Sequence, residues 1–500
     1  MNQLGFPIIS TLLAIPLIGA LMLAAIPASE KRAIRVGALF ITLIAFFASL
    51  PLYVSFTAGY GGFQFEESYP WIAQLNIMYH VGIDGISLFL VLLCTFLAVI
   101  SVLCSWSAIQ ERTKEFMILI LLMETAMLGV FVSLDLFLFY VFWEASLVPM
   151  ALLIGQWGSQ DRVYAAVKFF LYTFIASTLM LIGVVYVYIR TGHSDLGILL
   201  AGDWHFTNGE QWWLFLAFGL AFAVKVPLFP FHTWLPAAHV QAPTAGSVIL
   251  AGVLLKMGVY GYLRITNVLF PAGFEAWAPF LSMLAVIGII YGALVALAQE
   301  DVKSLVAYSS VAHMGFIVLG IFSGGFQGTS GAVMQMVNHG LSTGALFMMI
   351  GFLYERRHTR MMHDYGGIFA KVPIFGAYFL IAVFSSVGLP GLNGFVGEFV
   401  ILVGTFKHNT FLAVIATFGI VLAAWYLLTA VREVMFGPLN PDNDGLTDLN
   451  FREISAATAL TILFFVLGFF PNLIFDKVNP SVEQLPQIAQ QQNVTIVMDR

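Results

Sequence analysis

Runs of about twenty apolar residues, each long enough to cross a hydrocarbon layer, recur along this chain from one end to the other. In lipid an unpaired backbone polar group is too costly to tolerate, so only helices and closed barrels span. These runs are continuously apolar and lack the in-and-out alternation of barrel strands, which excludes a barrel. The chain therefore reads as an all-α polytopic membrane protein, and water-soluble folds are excluded. Composition agrees: 60% of residues are hydrophobic and 10% charged, against about a quarter charged in soluble domains. The first run has no basic leader and is expected to be a retained helix, not a cleaved signal. Cys94 and Cys104 share one apolar segment without a CxxC pair. That excludes an iron–sulfur site built from this chain alone and leaves two buried thiols as the plain reading.

Marking the runs predicts about fourteen spans. Two are interrupted: 211–238, which contains KVPLFPFHTWLP, and 373–403, which contains SSVGLPGLNGFVGEF. Interrupted spans at corresponding positions point to internal repeats, and an odd number of helices per unit inverts their topology. The expected organisation has four parts. Residues 1–114 hold three helices and an extramembrane loop (57–85) with room for a short hairpin. Residues 115–267 and 276–434 form two inverted five-helix repeats, each with one broken helix. Residues 435–500 supply a last helix and a short tail. Basic residues gather in alternate loops: Lys31, Arg32, Arg35, Arg112, Lys114, Arg162, Lys303, Arg356, Arg357, Arg360, Lys371, Arg432 and Arg452 on one side, against Arg190, Arg264, Lys407, Lys477 and Arg500 on the other. The positive-inside rule puts the rich set in the cytoplasm and both termini outside.

Ionisable residues nevertheless sit inside the apolar runs: Glu124, Glu144, Lys225, Lys256 and Glu398, joined by His313 and His339. Each charged one costs roughly 2.5–3.5 kcal/mol at mid-bilayer on insertion scales. Any single one can be a structural hydrogen-bond partner or a satisfied core histidine. Recurring across so many spans, they point together to a proton or ion path. Burial disfavours the charged form of Lys and Glu while an opposite charge restores it, so a lysine facing a switchable carboxylate can be toggled. The break in 222–236 supplies a titratable amine, a flexible point and a place for water; the alternative is a plain proline kink beside a snorkelling lysine, although Lys225 lies deep in its span. Ligation of a haem between His313 and His339 is a second alternative. Ser309, Ser310, Asn338, Ser342 and Thr343 around them suit a hydrated relay better. There is no GxxxxGK[ST] loop and no dinucleotide fingerprint, so the chain itself binds no nucleotide. No nucleic-acid partner is expected.

The stretch KVPLFPFHTWLPAAHVQAPTAGSVILAGVLLKMGVYGYLR (225–264) closely resembles the antiporter-like subunits of respiratory complex I, and within them the M type, or chain 4. FYVFWEASLVPMALLIGQWG (139–158), DVKSLVAYSSVAHMGF (301–316), MVNHGLSTGALF (336–347) and GLPGLNGFVGEF (388–399) extend the resemblance over almost the whole chain. It implies a proton-translocating subunit in which Glu144 pairs with Lys225 of the broken seventh helix, Lys256 connects the two halves, and Glu398 ends the path. His313 and His339 match polar axis residues between them. Redox chemistry is then expected in partner subunits carrying FMN, iron–sulfur clusters and quinone, with no cofactor or metal in this chain. The neighbours would be L- and N-type subunits in the inner membrane of a bacterium. Those relatives typically have Lys where this chain has Glu398, and the L type continues into a long lateral helix. Here only about 25 residues follow the last span. One departure is Ala237 in WLPAAH, where the family usually has an acidic residue. A subunit of a multisubunit Na+/H+ antiporter is the alternative.

Overall fold

The computed structural model describes residues 5–202, 204–323 and 325–497, with side chains to residue 485; Arg500 lies outside them. The helices, in chain order, are α1 (Ile8–Ala25), α2 (Lys31–Val54), α3 (Gly85–Ala108), α4 (Thr113–Val132), α5 (Leu136–Trp157) and α6 (Arg162–Thr191). They continue with α7 (Asn208–Lys225), α8 (Trp234–Gln241), α9 (Thr244–Leu269), α10 (Pro271–Leu297), α11 (Val302–Phe322) and α12 (Phe326–Arg357). The last are α13 (Pro373–Val387), α14 (Asn393–His408), α15 (Thr410–Met435), α16 (Phe451–Phe469) and α17 (Asn472–Val497). Among the described residues, 12 helices are long and apolar enough to cross a membrane. Apolar side chains cover the outside as well as the inside, with Val54, Ile189, Phe411 and Phe418 all exposed. That is the pattern of a lipid-facing bundle.

The loop 57–85 holds the short hairpin expected of it, the one named sheet among the described residues of a mostly helical chain. Strands β1 (Gln64–Ile72) and β2 (Ile77–Ile83) pair antiparallel within the loop 57–85, Tyr69 opposite Tyr79 and Glu67 opposite Val81. The tail is also more than a short extension. α16 stops at Phe469, Pro471 prevents its continuation, and α17 begins at Asn472. Ile474, Val478, Val482 and Leu485 form its buried face. Ser481 accepts from the amide of Gly85 at 3.0 Å, and Lys477 donates to the Phe56 carbonyl at 3.2 Å. The hairpin and α17 thus cover one end of the bundle.

Both expected breaks are present. After Lys225, Pro227 lacks an N–H and its ring would clash with the Ala223 carbonyl, so the helix cannot continue. Two of the carbonyls released there are taken within the protein: Leu228 N–H donates to Ala223 O at 2.8 Å and the Trp234 indole to Val224 O at 2.8 Å. In the second break Gly388 and Gly391 take φ of 83° and 93°, a conformation that costs side-chain-bearing residues dearly. The start of α14 then folds against the end of α13 so closely that a Cβ at Gly394 would collide with the Ser385 carbonyl. The buried Asn393 holds this corner: it accepts from Ser385 Oγ at 2.6 Å, and Asn338 Nδ2 donates to its carbonyl at 2.7 Å.

Candidate functional site

The intramembrane groups fall into two clusters. In the first, Lys225 ends α7 and is 1% exposed. Its ammonium lies 3.5 Å from Ser146 Oγ and over the rings of Trp143 (5.3 Å) and Phe169 (5.8 Å). Glu144 is half-buried and one of its oxygens has no partner. Tyr140, Ser177 and Lys225 are the polar groups that bear on it. Among the described residues, no ion pair within 4.0 Å joins Glu144 to Lys225. The ammonium rests in an aromatic cradle, with the Glu144 carboxylate near it but beyond direct ion-pair distance. Pro149 cannot donate to the Ala145 carbonyl, and α5 is interrupted at Ser146.

The second cluster consists of two hydrogen-bonded pairs that face each other across a small void. Lys256 is fully buried on α9 and donates to the Ala251 carbonyl and to Nδ1 of His339, the latter at 2.7 Å. A ring nitrogen that accepts from an ammonium carries no hydrogen, so His339 holds its own at Nε2. On the far side, Nδ1 of His313 lies 2.7 Å from Glu398 Oε1, which also accepts from Gln335 at 3.0 Å. The two histidine rings are 5.9 Å apart, and the Nε2 atom of each has no protein partner. Between them lies a polar void of about 10 Å³ bounded by Asn338, Ser342, Thr343 and Ser386. It has room for about one water and none for a porphyrin, which removes the haem alternative.

The two clusters do not join. α7 meets α9 where the Lys225 Cβ, Val226 and the Phe222 carbonyl press on Gly258. From that contact Lys225 turns toward Trp143 and Lys256 turns toward His339. No direct hydrogen bond or ion pair joins the two lysines among the described residues.

Three features were missed from the sequence. His239 on α8 is fully buried, stacked on Phe347 at 4.5 Å, with neither ring nitrogen partnered. Its place in an eight-residue half-helix hid it from a search of long apolar runs. Lys303 at the start of α11 is buried and donates to the Ala242 carbonyl at 2.6 Å; it had been counted as a loop charge. α9 carries two π-helical segments, Leu250–Leu254 and Tyr262–Thr266. Such turns often mark functional sites, and this one presents the Ala251 carbonyl to Lys256. Glu124 is fully buried, its carboxylate oxygens are unpartnered, and it joins neither cluster.

Residues 133–423 match the family described as NADH:quinone oxidoreductase/Mrp antiporter, TM. The chain is 46% identical to NADH-quinone oxidoreductase subunit M of Rhodobacter capsulatus, with 96% of each covered. Its fold matches a chain of respiratory complex I from Thermus thermophilus with bound NADH at a TM-score of 0.89 and 32% identity, covering 96% of this chain and 99% of that one. A chain of the Mrp complex from Dietzia shares the fold at a TM-score of 0.85 and 20% identity, covering 97% and 99%. The chain belongs to the subunit M family of NADH-quinone oxidoreductase, the antiporter-like membrane subunits of respiratory complex I.

Proposed function

We propose that this chain moves protons across the inner membrane of a bacterium as the M-type subunit of complex I, driven by NADH-to-quinone electron transfer in partner subunits. FMN, iron–sulfur clusters and quinone reside in those partners, and L- and N-type subunits flank this one. Fourteen spans, two inverted five-helix repeats and termini on the periplasmic side complete the reading. The hydrogen-bonded array Lys256–His339–void–His313–Glu398 is the observation that carries it. Lys256 gives a proton to His339 Nδ1 as the Nε2 proton leaves. A water in the void hands that proton to His313 Nε2, and His313 gives its Nδ1 proton to Glu398. The other cluster acts as a switch: a carboxylate approaching Lys225 favours the charged amine, and its withdrawal favours release. Each charge moved against 100 mV needs roughly 2.3 kcal/mol, so the energy must come from the partners' reaction.

The test uses inside-out vesicles holding the assembled complex. Lys225→Ala or Glu144→Ala should abolish NADH-driven acidification. Acidification at the wild-type rate would defeat the assignment. The fold likeness to an Mrp chain favours a second reading, a Na+/H+ antiporter subunit. Flavin and iron–sulfur signals co-purifying with the chain decide for the first.

A further inference from the structure

The buried lysine of α9 has a second way out. Tyr260 and Arg264 follow Lys256 at intervals of four, a spacing that puts all three on one side of the helix. Arg264 lies about 12 Å further along and belongs to the basic-poor set, so it marks the end assigned to the outside. A proton that left Lys256 this way, or reached it from there, would bypass His339, His313 and Glu398. All three side chains are buried. The groups standing on this ladder therefore decide whether it conducts.

We infer that the Arg264–Asp84 pair is a barrier that closes the outer end of α9 to protons. Tyr260 Oη donates to the Phe131 carbonyl at 2.9 Å and accepts from Arg264 Nε at 3.3 Å. Its hydrogen is thus committed away from the ladder. To pass a proton outward, the phenol would have to exchange with a guanidinium that is never deprotonated. The fixed charge also raises the energy of any proton approaching it, the device by which an arginine keeps cations out of a water pore. Asp84 holds that charge in place without offering an escape. Its Oδ2 meets Arg264 Nη2 at 2.5 Å. Its Oδ1 accepts from the amides of Ile86 and Ser87 at 3.1 and 3.0 Å and from Ser87 Oγ at 3.1 Å. Both oxygens are engaged. The Phe63 ring, just before β1, lies 4.8 Å from Arg264 Cζ and covers the guanidinium. Buried ion pairs can often be replaced by apolar residues at no loss of stability. What this pair adds is the charge itself, held where a proton would otherwise cross.

This inference rests on the proton-pumping reading, and the experiment separates the two. The purified complex is reconstituted in liposomes with a pH dye inside, and K+ with valinomycin cancels the membrane potential. A pH step is imposed without NADH. Arg264→Met with Asp84→Asn removes both charges together and strands neither. Its pH step should collapse about tenfold faster than that of the wild type. Arg264→Gln with Asp84→Asn, a more polar form of the same change, should leak likewise. Arg264→Lys keeps a cation beside Asp84 and should hold the step. With NADH and quinone added, the double variants should oxidise NADH at the wild-type uncoupled rate yet build a smaller pH difference. A double variant as tight as wild type would overturn the barrier. So would an equal leak from Arg264→Lys, which would make the closure one of shape. Lys256→Gln is the control for the pumping reading: if it pumps at the wild-type rate, that reading fails whatever the leak. If it is dead beside tight double variants, only the barrier is removed.

Discussion

Nζ of Lys256 and Nδ1 of His339 lie 2.7 Å apart on different helices, and both side chains are at most 3% exposed. The ammonium's other partner is a backbone carbonyl, so among the described residues His339 supplies its only side-chain acceptor. Replacing the ring with Ala should lower coupled NADH:quinone turnover about tenfold or more, with ferricyanide reduction unchanged. His339→Gln returns an oxygen acceptor but no second titrating nitrogen, and should remain equally slow. Turnover rates of the two variants check this.

The opposite end of α9 is held by charge. Arg264 Nη2 meets Asp84 at 2.5 Å, with both side chains buried, and Asp84 also caps α3 through the amides of Ile86 and Ser87. Removing one partner leaves an uncompensated buried charge, which costs about 3–5 kcal/mol. Arg264→Ala should therefore unfold at clearly lower temperature in detergent. Cys94 and Cys104 are both buried, so a thiol-reactive dye reports the transition.

Gly258 is where α7 packs against α9. A Cβ there would lie 2.7 Å from the Phe222 carbonyl and from Val226, and 3.2 Å from the Lys225 Cβ. Gly258→Ala should cost about 1–3 kcal/mol through overpacking and push Lys225 out of its aromatic cradle. Impaired turnover together with a lowered melting temperature is the expected result. A mutant that melts and turns over like wild type would contradict this packing.

Outside the membrane, His80 on β2 faces Asp195 at 2.5 Å and Glu66 at 3.6 Å. Burial opposes its charge, but the Asp195 hydrogen bond and the two carboxylates outweigh it and raise the imidazole above its ordinary range. A group raised in the folded state stabilises fully below its unfolded value, about 6.5, and that stabilisation is lost as pH rises through the folded value. Hairpin amides around His80 should exchange faster at alkaline pH beyond the intrinsic increase. His80→Gln should abolish that extra pH dependence.

Much of this was legible in the sequence because prolines and glycines announce broken helices and buried charges announce themselves in apolar runs. Pro227, Pro230, Gly388 and Gly391 located both breaks, and Lys256–His339 and His313–Glu398 form two pairs on either side of one small void. Side-chain direction was not legible. The resemblance pairs Glu144 with Lys225, yet the Lys225 ammonium lies over the Trp143 ring and no ion pair within 4.0 Å joins the two among the described residues. No single residue encodes the π turn that offers the Ala251 carbonyl to Lys256. Lys303 looked like a loop charge because its carbonyl partner lies 61 residues away in sequence. The ordered tail was missed because its alternating polar face lowers the apolar signal below that of a span.

Glu398 ends the array, bonded to His313 at 2.7 Å and to Gln335 at 3.0 Å. Glu398→Gln preserves size and one acceptor while removing the ability to take the proton. In inside-out vesicles of the assembled complex, this variant should lose NADH-driven acidification while retaining ferricyanide reduction. Acidification at the wild-type rate would contradict proton transfer through the buried histidine pair.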